Sequence, residues 1–175
     1  ILFNLIMKKK IFITGGAGFI GGNLIRTLLN KTESKLFNID YLNYSSDLSF
    51  LNSIEYEKTR HHHININLNN SEDTFRAFEL SDPDVVIHLA AESHVDRSID
   101  NPVDFVNNNI NGTLNLLEAS RIHFNNLNDI RKQRFIFLNV STDEVFGSLE
   151  SIGDFDEDSP YLPRSPYAAS KASSD

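Results

Sequence analysis

Lys10-Ile11-Phe12-Ile13-Thr14-Gly15-Gly16-Ala17-Gly18-Phe19-Ile20-Gly21 is the stretch that decides the fold. Lys10–Thr14 is a short β-branched run, as a strand requires, and the glycines follow it with no spacer. Beyond them Leu24, Ile25, Leu28 and Leu29 recur at helical spacing as far as Asn30 and Lys31. Strand, glycine turn and helix are expected in that order. A second apolar run, Leu36–Ile39, ends in Asp40, about twenty residues past the glycines. Among Gly15, Gly18 and Gly21, one glycine permits the tight turn, one lets backbone amides approach a pyrophosphate, and one lets the helix pack against the strand. Asp40 would accept hydrogen bonds from a ribose and repel the 2′-phosphate of NADP, so the pattern predicts a site for NAD. A glycine turn that merely joined a strand to a helix would leave Asp40 unexplained.

Outward from this unit the chain keeps alternating. Tyr41–Asn70 is the least patterned part, with a short helix expected over Asp47–Asn52 and a third strand over His63–Leu68. His61-His62-His63 raises the question of a metal cluster, but consecutive residues on a strand point to alternate faces. They are read as a solvated turn, and no metal site is expected. Ser71–Leu80 reads as a helix with Ser71 as N-cap and Phe75, Phe78 and Leu80 on or near its apolar side. Val85–Leu89 is a continuous apolar run suited to a strand covered on both faces, with His88 as a packed core histidine. Ala90 and Ala91 leave room at its C-terminal end, where open α/β sheets bind ligands. Glu92-Ser93-His94-Val95-Asp96-Arg97 adds polar groups there, His94 reading as a hydrogen-bonding or structural residue rather than a base. Pro102–His123 is a long helix, and its Asn107-Asn108-Asn109 run is unusual because asparagine competes for its own backbone. Either those amides bond to something specific or the segment is locally weakened. A polar loop over Asn125–Arg131 and a fifth strand over Phe135–Val140 complete the pattern. The fold class is α/β, a doubly wound parallel sheet forming a Rossmann-like NAD-binding domain.

The fifth strand delivers Ser141-Thr142-Asp143-Glu144-Val145-Phe146-Gly147, and the stretch that begins there closes with Tyr167-Ala168-Ala169-Ser170-Lys171. A hydroxyl beside two carboxylates, followed by a tyrosine and a lysine one helical turn apart, is acid–base equipment for a sugar-sized ligand. At i and i+4 Tyr167 and Lys171 share a helix face, and an ammonium near a phenol lowers the phenol's pKa. Solvated loop carboxylates are the plainer reading of Asp143 and Glu144. Between these segments Glu150–Pro166 is an acidic, proline-containing loop, a natural cover for the site.

The 175 residues are 40% hydrophobic and 23% charged, an ordinary globular composition. A net charge of -8 disfavours nucleic-acid or anionic-membrane partners, both of which demand a basic face. No cysteine is present, which excludes disulfides and thiolate metal sites and is compatible with a reducing, cytoplasmic location. Residues 1–7 read as a non-native or upstream extension ahead of Lys8-Lys9-Lys10. Residues 8–175 read as the NAD-binding domain of a fragment that stops just inside the Tyr167 helix, with the C-terminal substrate domain largely absent.

From Lys8 onward the sequence resembles the extended short-chain dehydrogenase/reductases, and among them the dTDP-glucose 4,6-dehydratases. The resemblance is sharpest at Thr14–Gly21, His88–Ile99, Asn109–Ala119, Ser141–Gly147 and Ser165–Asp175. It implies that Tyr167 takes the proton of a sugar 4-hydroxyl as hydride leaves C4 for NAD. Lys171 would hold the nicotinamide ribose and lower the pKa of Tyr167. Glu144 would remove the C5 proton and Asp143 would protonate the departing C6 hydroxyl, before hydride returns to C6. Neighbouring like charges separate two carboxyl pKa values, which lets one donate while the other accepts. Ser93 and Thr142 would bond the glucose. Phe19, Ile20, Asp40, Tyr41, Leu42, Asn43, Asn67, Leu68, Leu89, Ala90, Ala91, Glu92, Ser93 and Asn108 match positions lining the cofactor. Asn67 replaces a usual aspartate, Tyr41 a common lysine and Phe146 a common tyrosine. The implied partner is a nucleotide sugar, the setting deoxysugar and polysaccharide biosynthesis, and the assembly a homodimer built on two long helices. Alternatives are an epimerase, decarboxylase or dehydratase acting on UDP- or CDP-sugars, and a non-catalytic NAD-binding module.

Overall fold

In the computed structural model, which describes residues 7–43, 46–49, 59–149 and 153–175, Lys10–Thr14 forms the central strand, β1. Side chains alternate across it: Ile11 and Ile13 pack with Ile25 and Leu28 of helix α1 (Phe19–Lys31), while Phe12 faces the other layer. Strand β2 is Lys35–Ile39, β3 His61–Ile64, β4 Val85–His88 and β5 Ile136–Asn139. They pair in the order β3-β2-β1-β4-β5, every neighbour parallel. Connections leave β1 toward β2 on one side and reach β4 on the other, so the strand order reverses at β1. A crevice opens there, beyond the C-terminal strand ends.

The second layer holds helix α2 (Ser71–Ser81) and a long helical segment made of α4 (Pro102–Phe105), a π-helical turn (Val106–Asn111) and α5 (Gly112–Asn126). Phe12, Phe37, Phe78, Val86 and Leu116 form its core, with the Phe12 and Phe78 rings 4.5 Å apart. The short helix α3 (Val95–Asp100) precedes α4, and α6 (Asp129–Lys132) leads into β5. Helix α7 (Pro166–Ala172) carries Tyr167 and Lys171; Pro166 at its start and a Ser165 hydroxyl accepting from Ala168 N at 3.0 Å fix where it begins. Among the described residues no helix is long and apolar enough to cross a membrane.

Several local expectations change. His61–His63 is not a turn but strand β3, registered Leu36 to His61, Phe37 to His62 and Asn38 to His63. Pairing with a buried neighbour strand overrides the weak strand preference of histidine, and the alternate faces are visible: His62 stacks on Phe37 at 5.3 Å while His63 Nε2 lies 3.3 Å from the Asp40 carbonyl. The strand ends at Ile64 rather than reaching Leu68. Helix α2 is capped by Asn70, one residue before the expected Ser71, its side chain accepting from Asp73 N at 3.2 Å. The expected loop Asn125–Arg131 holds the end of α5 and most of α6. Asn128 caps α6, and Arg131 is anchored to Asp82 at 2.8 Å and Asp84 at 3.1 Å. The helix expected over Asp47–Asn52 runs into residues 50–58, outside the described residues.

Candidate active site

The crevice at the β1/β4 switch point is an open cleft lined from the C-terminal ends of β1, β2 and β4, by Gly15, Asp40, Leu89 and Ala90 among others. Gly15 forms its floor at φ +72°, and a Cβ there would lie 2.7 Å from Ala90 N. No side chain fits between the turn and the wall opposite. Gly21 plays the packing part, since a Cβ there would stand 2.2 Å from the Gly15 carbonyl oxygen. Gly18, the N-cap of α1, lines the crevice, which sets the start of a 13-residue helix, with first amides that have no partner inside the helix, at its edge. Asp40 does more than wait for a ribose. Its carboxylate accepts from Ala17 N at 2.9 Å, Leu42 N at 3.0 Å and Ser46 Oγ at 3.1 Å, which ties the end of β2 to the glycine turn.

Of the residues expected at the cofactor, Gly15, Gly18, Asp40, Tyr41, Asn43, Asn67, Leu68, Leu89, Ala90, Ala91 and Asn108 line this cleft. Glu92, in the expected run Leu89–Ser93, lines it as well, and Ile39, Ser46 and Ile66 join them without having been expected. Phe19 and Ile20 stand outside, 88% and 64% exposed at the start of α1, and Phe19 lines a neighbouring hollow with Arg26 and Asp47. Leu42 takes φ +57° beside Asp40, and Ser93 is exposed. A floor that excludes a Cβ, free helix amides and a fixed carboxylate together suit a dinucleotide.

The acid–base residues gather at the neighbouring strand end. Thr142 follows β5 and caps the 3₁₀ turn Asp143–Phe146, its Oγ1 accepting from Glu144 N at 3.3 Å and lying 3.3 Å from Asp143 Oδ1. Tyr167 stands beside Thr142 across the gap on α7, near enough for that side chain to lower its pKa, and its ring meets Phe105 edge-on at 6.3 Å. Thr142, Asp143, Glu144 and Tyr167 thus form one group. Lys171 is 5% exposed and donates from Nζ to the Val140 carbonyl at 2.7 Å. Burial lowers its pKa, and Asp175 opposes that shift. The phenol of Tyr167 is shifted upward rather than downward: burial raises it, the Thr142 side chain pulls it back, and Glu144 and Asp143 raise it further. The expected depression by Lys171 is not met, because that ammonium is committed to the Val140 carbonyl while two carboxylates face the phenol. The loop after the turn lies against it, with Phe155 and Tyr161 5.4 and 5.3 Å from Phe146 and Leu162 N donating to the Val145 carbonyl at 3.0 Å.

The family described as GDP-mannose 4,6 dehydratase matches residues 12–175. The chain belongs to that family. A probable dTDP-glucose 4,6-dehydratase of Sinorhizobium fredii is 48% identical over 166 residues, covering 95% of this chain and 47% of the relative. The crystal structure of the Bacillus anthracis dTDP-glucose 4,6-dehydratase in complex with NAD has a TM-score of 0.77 at 35% identity, covering 94% of this chain and 47% of that one. The Thermus thermophilus UDP-glucose 4-epimerase in complex with NAD reaches 0.77 at 29% identity, covering 94% and 48%. This member of the 4,6-dehydratase family spans about half the length of the curated relatives it matches. Those relatives are dTDP-glucose 4,6-dehydratases, the group that segments such as His88–Ile99 and Ser141–Gly147 resemble.

Proposed function

We propose that this chain is the NAD-binding part of a nucleotide-sugar 4,6-dehydratase converting dTDP-glucose to its 4-keto-6-deoxy derivative, with residues 8–175 as that domain. One observation carries the reading: Thr142, Asp143, Glu144 and Tyr167 converge at the end of β5, beside a cleft shaped for a dinucleotide. Gly15, Gly18 and the first amides of α1 would hold the pyrophosphate and Asp40 a ribose. NAD supplies reversible hydride acceptance, which is what lets the sugar be oxidised at C4 and reduced at C6 with no net redox change.

The rest of the chemistry belongs to side chains. Tyr167 accepts the proton of the 4-hydroxyl, and the nearby Thr142 side chain acts against burial and the two carboxylates in lowering its pKa. A ketone at C4 acidifies the C5 hydrogen, which Glu144 removes. Asp143, exposed at the rim, gives its proton to the C6 oxygen, and one water leaves. Lys171 is held by Val140 at the base of this group and would bond the nicotinamide ribose. A homodimer is supported by the segment of α4, the π-helical turn and α5, along which Val103, Val106, Leu114 and Leu117 are exposed. A cytoplasmic location fits a cysteine-free chain acting on nucleotide sugars.

The test uses the complete protein carrying this chain, incubated with NAD and, separately, dTDP-, UDP- and CDP-glucose, with the sugar nucleotide weighed by mass spectrometry. Loss of one water from dTDP-glucose alone, with NAD left oxidised, is the expected result. Loss of water from another nucleotide would reassign the substrate. An unchanged mass with all three would overturn the dehydratase reading in favour of an epimerase or a non-catalytic binder.

A further inference from the structure

His88 takes no part in the proposed chemistry, yet it is buried beside the cleft with both ring nitrogens engaged. It ends β4, 2% exposed, between two hydroxyls. Its Nε2 lies 2.8 Å from Thr113 Oγ1 in α5, and its Nδ1 2.6 Å from Thr14 Oγ1 in β1. The surroundings decide which nitrogen carries the proton. Thr113 donates its single hydroxyl hydrogen to the Asn109 carbonyl at 2.6 Å, so toward His88 it can only accept. Nε2 is therefore the N–H. Thr14 Oγ1 already accepts from the amides of Leu89 at 3.2 Å and Ala90 at 3.1 Å, which leaves its own hydrogen for Nδ1, the acceptor of that tautomer. An imidazolium would leave Nδ1–H facing a hydroxyl whose acceptor positions are taken. Burial and the nearby Lys171 ammonium act in the same sense, lowering the pKa of His88 to about 3.

One end of this chain of bonds is a wall of the cleft, and the other holds Glu92, a second lining residue. Ala90, held by Thr14, is the residue against which Gly15 closes, at 2.7 Å from where a Cβ would be. Asn109, reached through Thr113, accepts from Glu92 N at 2.8 Å and donates to the Glu92 carbonyl and to Ser170 Oγ of α7, each at 2.9 Å. We infer that His88 is a positioning residue for the dinucleotide cleft: locked as the Nε2–H tautomer, it ties the Leu89–Ala90 wall, through Thr14, to the π-helical turn, through Thr113. The consequence for cofactor affinity rests on the NAD-binding reading, whereas the bond chain is a property of the free protein. Spacing between the glycine turn and the opposite wall then follows the histidine and not only the backbone.

The experiment compares wild type, Thr113→Val and Thr113→Ser. Histidine ring ¹⁵N shifts in the wild type should show an unprotonated Nδ1 and a protonated Nε2 at neutral pH. In Thr113→Val the Leu89 and Ala90 amides should exchange about ten-fold faster while Phe12 and Val86 keep their rates, and NAD affinity should fall by roughly five-fold. Thr113→Ser should stay within about two-fold of wild type in both readouts. An Nδ1–H tautomer, a charged ring, or unchanged Leu89 and Ala90 exchange in Thr113→Val would overturn the inference. So would equal acceleration at Phe12 and Val86, which would make the role one of packing alone, or faster loop exchange with NAD affinity intact. A wild-type protein that binds no NAD would count against the proposed function instead, with tautomer and exchange still deciding the role of His88.

Discussion

Asp143 and Glu144 are neighbours on one 3₁₀ turn, and their surroundings already differ. Asp143 is exposed beside the Thr142 hydroxyl, whereas Glu144 is half-buried with its backbone amide bonded to Thr142 Oγ1. A proton donor and a proton acceptor made from like carboxyls require such a difference. Because the cap bond uses the backbone of residue 144, Glu144→Gln should leave the turn in place and change only the acceptor. Exchange of the sugar C5 hydrogen with solvent, followed by NMR in D₂O, should then drop by about 10²–10⁴-fold with NAD affinity unchanged. Glu144 also raises the pKa of Tyr167, so the phenol of the variant should ionise at lower pH than in wild type, visible by ultraviolet titration. Undiminished C5 exchange would remove Glu144 from the role of base.

Among the elements, the long segment α4–π–α5 shows how an unfavourable sequence is put to use. Three consecutive asparagines weaken a regular helix, and here the helix widens to a π turn from Val106 to Asn111. Within it Asn109 is buried, bonded to both backbone groups of Glu92 and to Ser170. Asn107, two residues earlier, is exposed. Asn109→Ala should therefore cost about 2–4 kcal/mol in urea unfolding by stranding those partners, while Asn107→Ala stays within about 0.5 kcal/mol. Equal effects at the two positions would show that the turn is a helix defect without a specific anchor. The same element marks the limit of sequence reading. The β1–glycine–α1–β2 unit and Asp40 were legible because their signals are contiguous and periodic, and so was Tyr167–Lys171 at i and i+4. Partners of Asn109 lie 17 and 61 residues away, and no local pattern announces them. Strand β3 was expected too late, over His63–Leu68, for a related reason: its three histidines carry no strand period, and only pairing with β2 makes them a strand. Ser46 and Ile66 reach the cleft from irregular segments on either side of β3, which leave no periodic trace.

Across the whole molecule the two faces of the sheet are covered, and two histidines are held neutral within it. His88 has its pKa lowered to about 3, chiefly by burial and further by Lys171, and His61 to about 4 by burial and its neighbours His63 and His62. An unfolded histidine titrates at about 6.5, so between that value and the folded values the unfolded chain binds protons that the native state refuses. The sign follows: stability is complete above pH 6.5 or so and is lost as pH falls toward 4 and 3. His88 alone should contribute a loss of about 2 kcal/mol by pH 5, with His61 adding a smaller, solvent-screened share. Asp82 also has a lowered pKa, as its bonds to Lys10 and Arg131 outweigh its burial, but its share disappears only below the usual carboxylate range and leaves the histidine window separate. Urea midpoints measured from pH 7.5 to 5 should fall steadily while the carbon-bound ring protons of His88 in the folded protein keep their shifts. Flat midpoints, or a His88 that titrates near its ordinary value without unfolding, would show that the core admits the charge and that the hydroxyls of Thr14 and Thr113 turn to receive it.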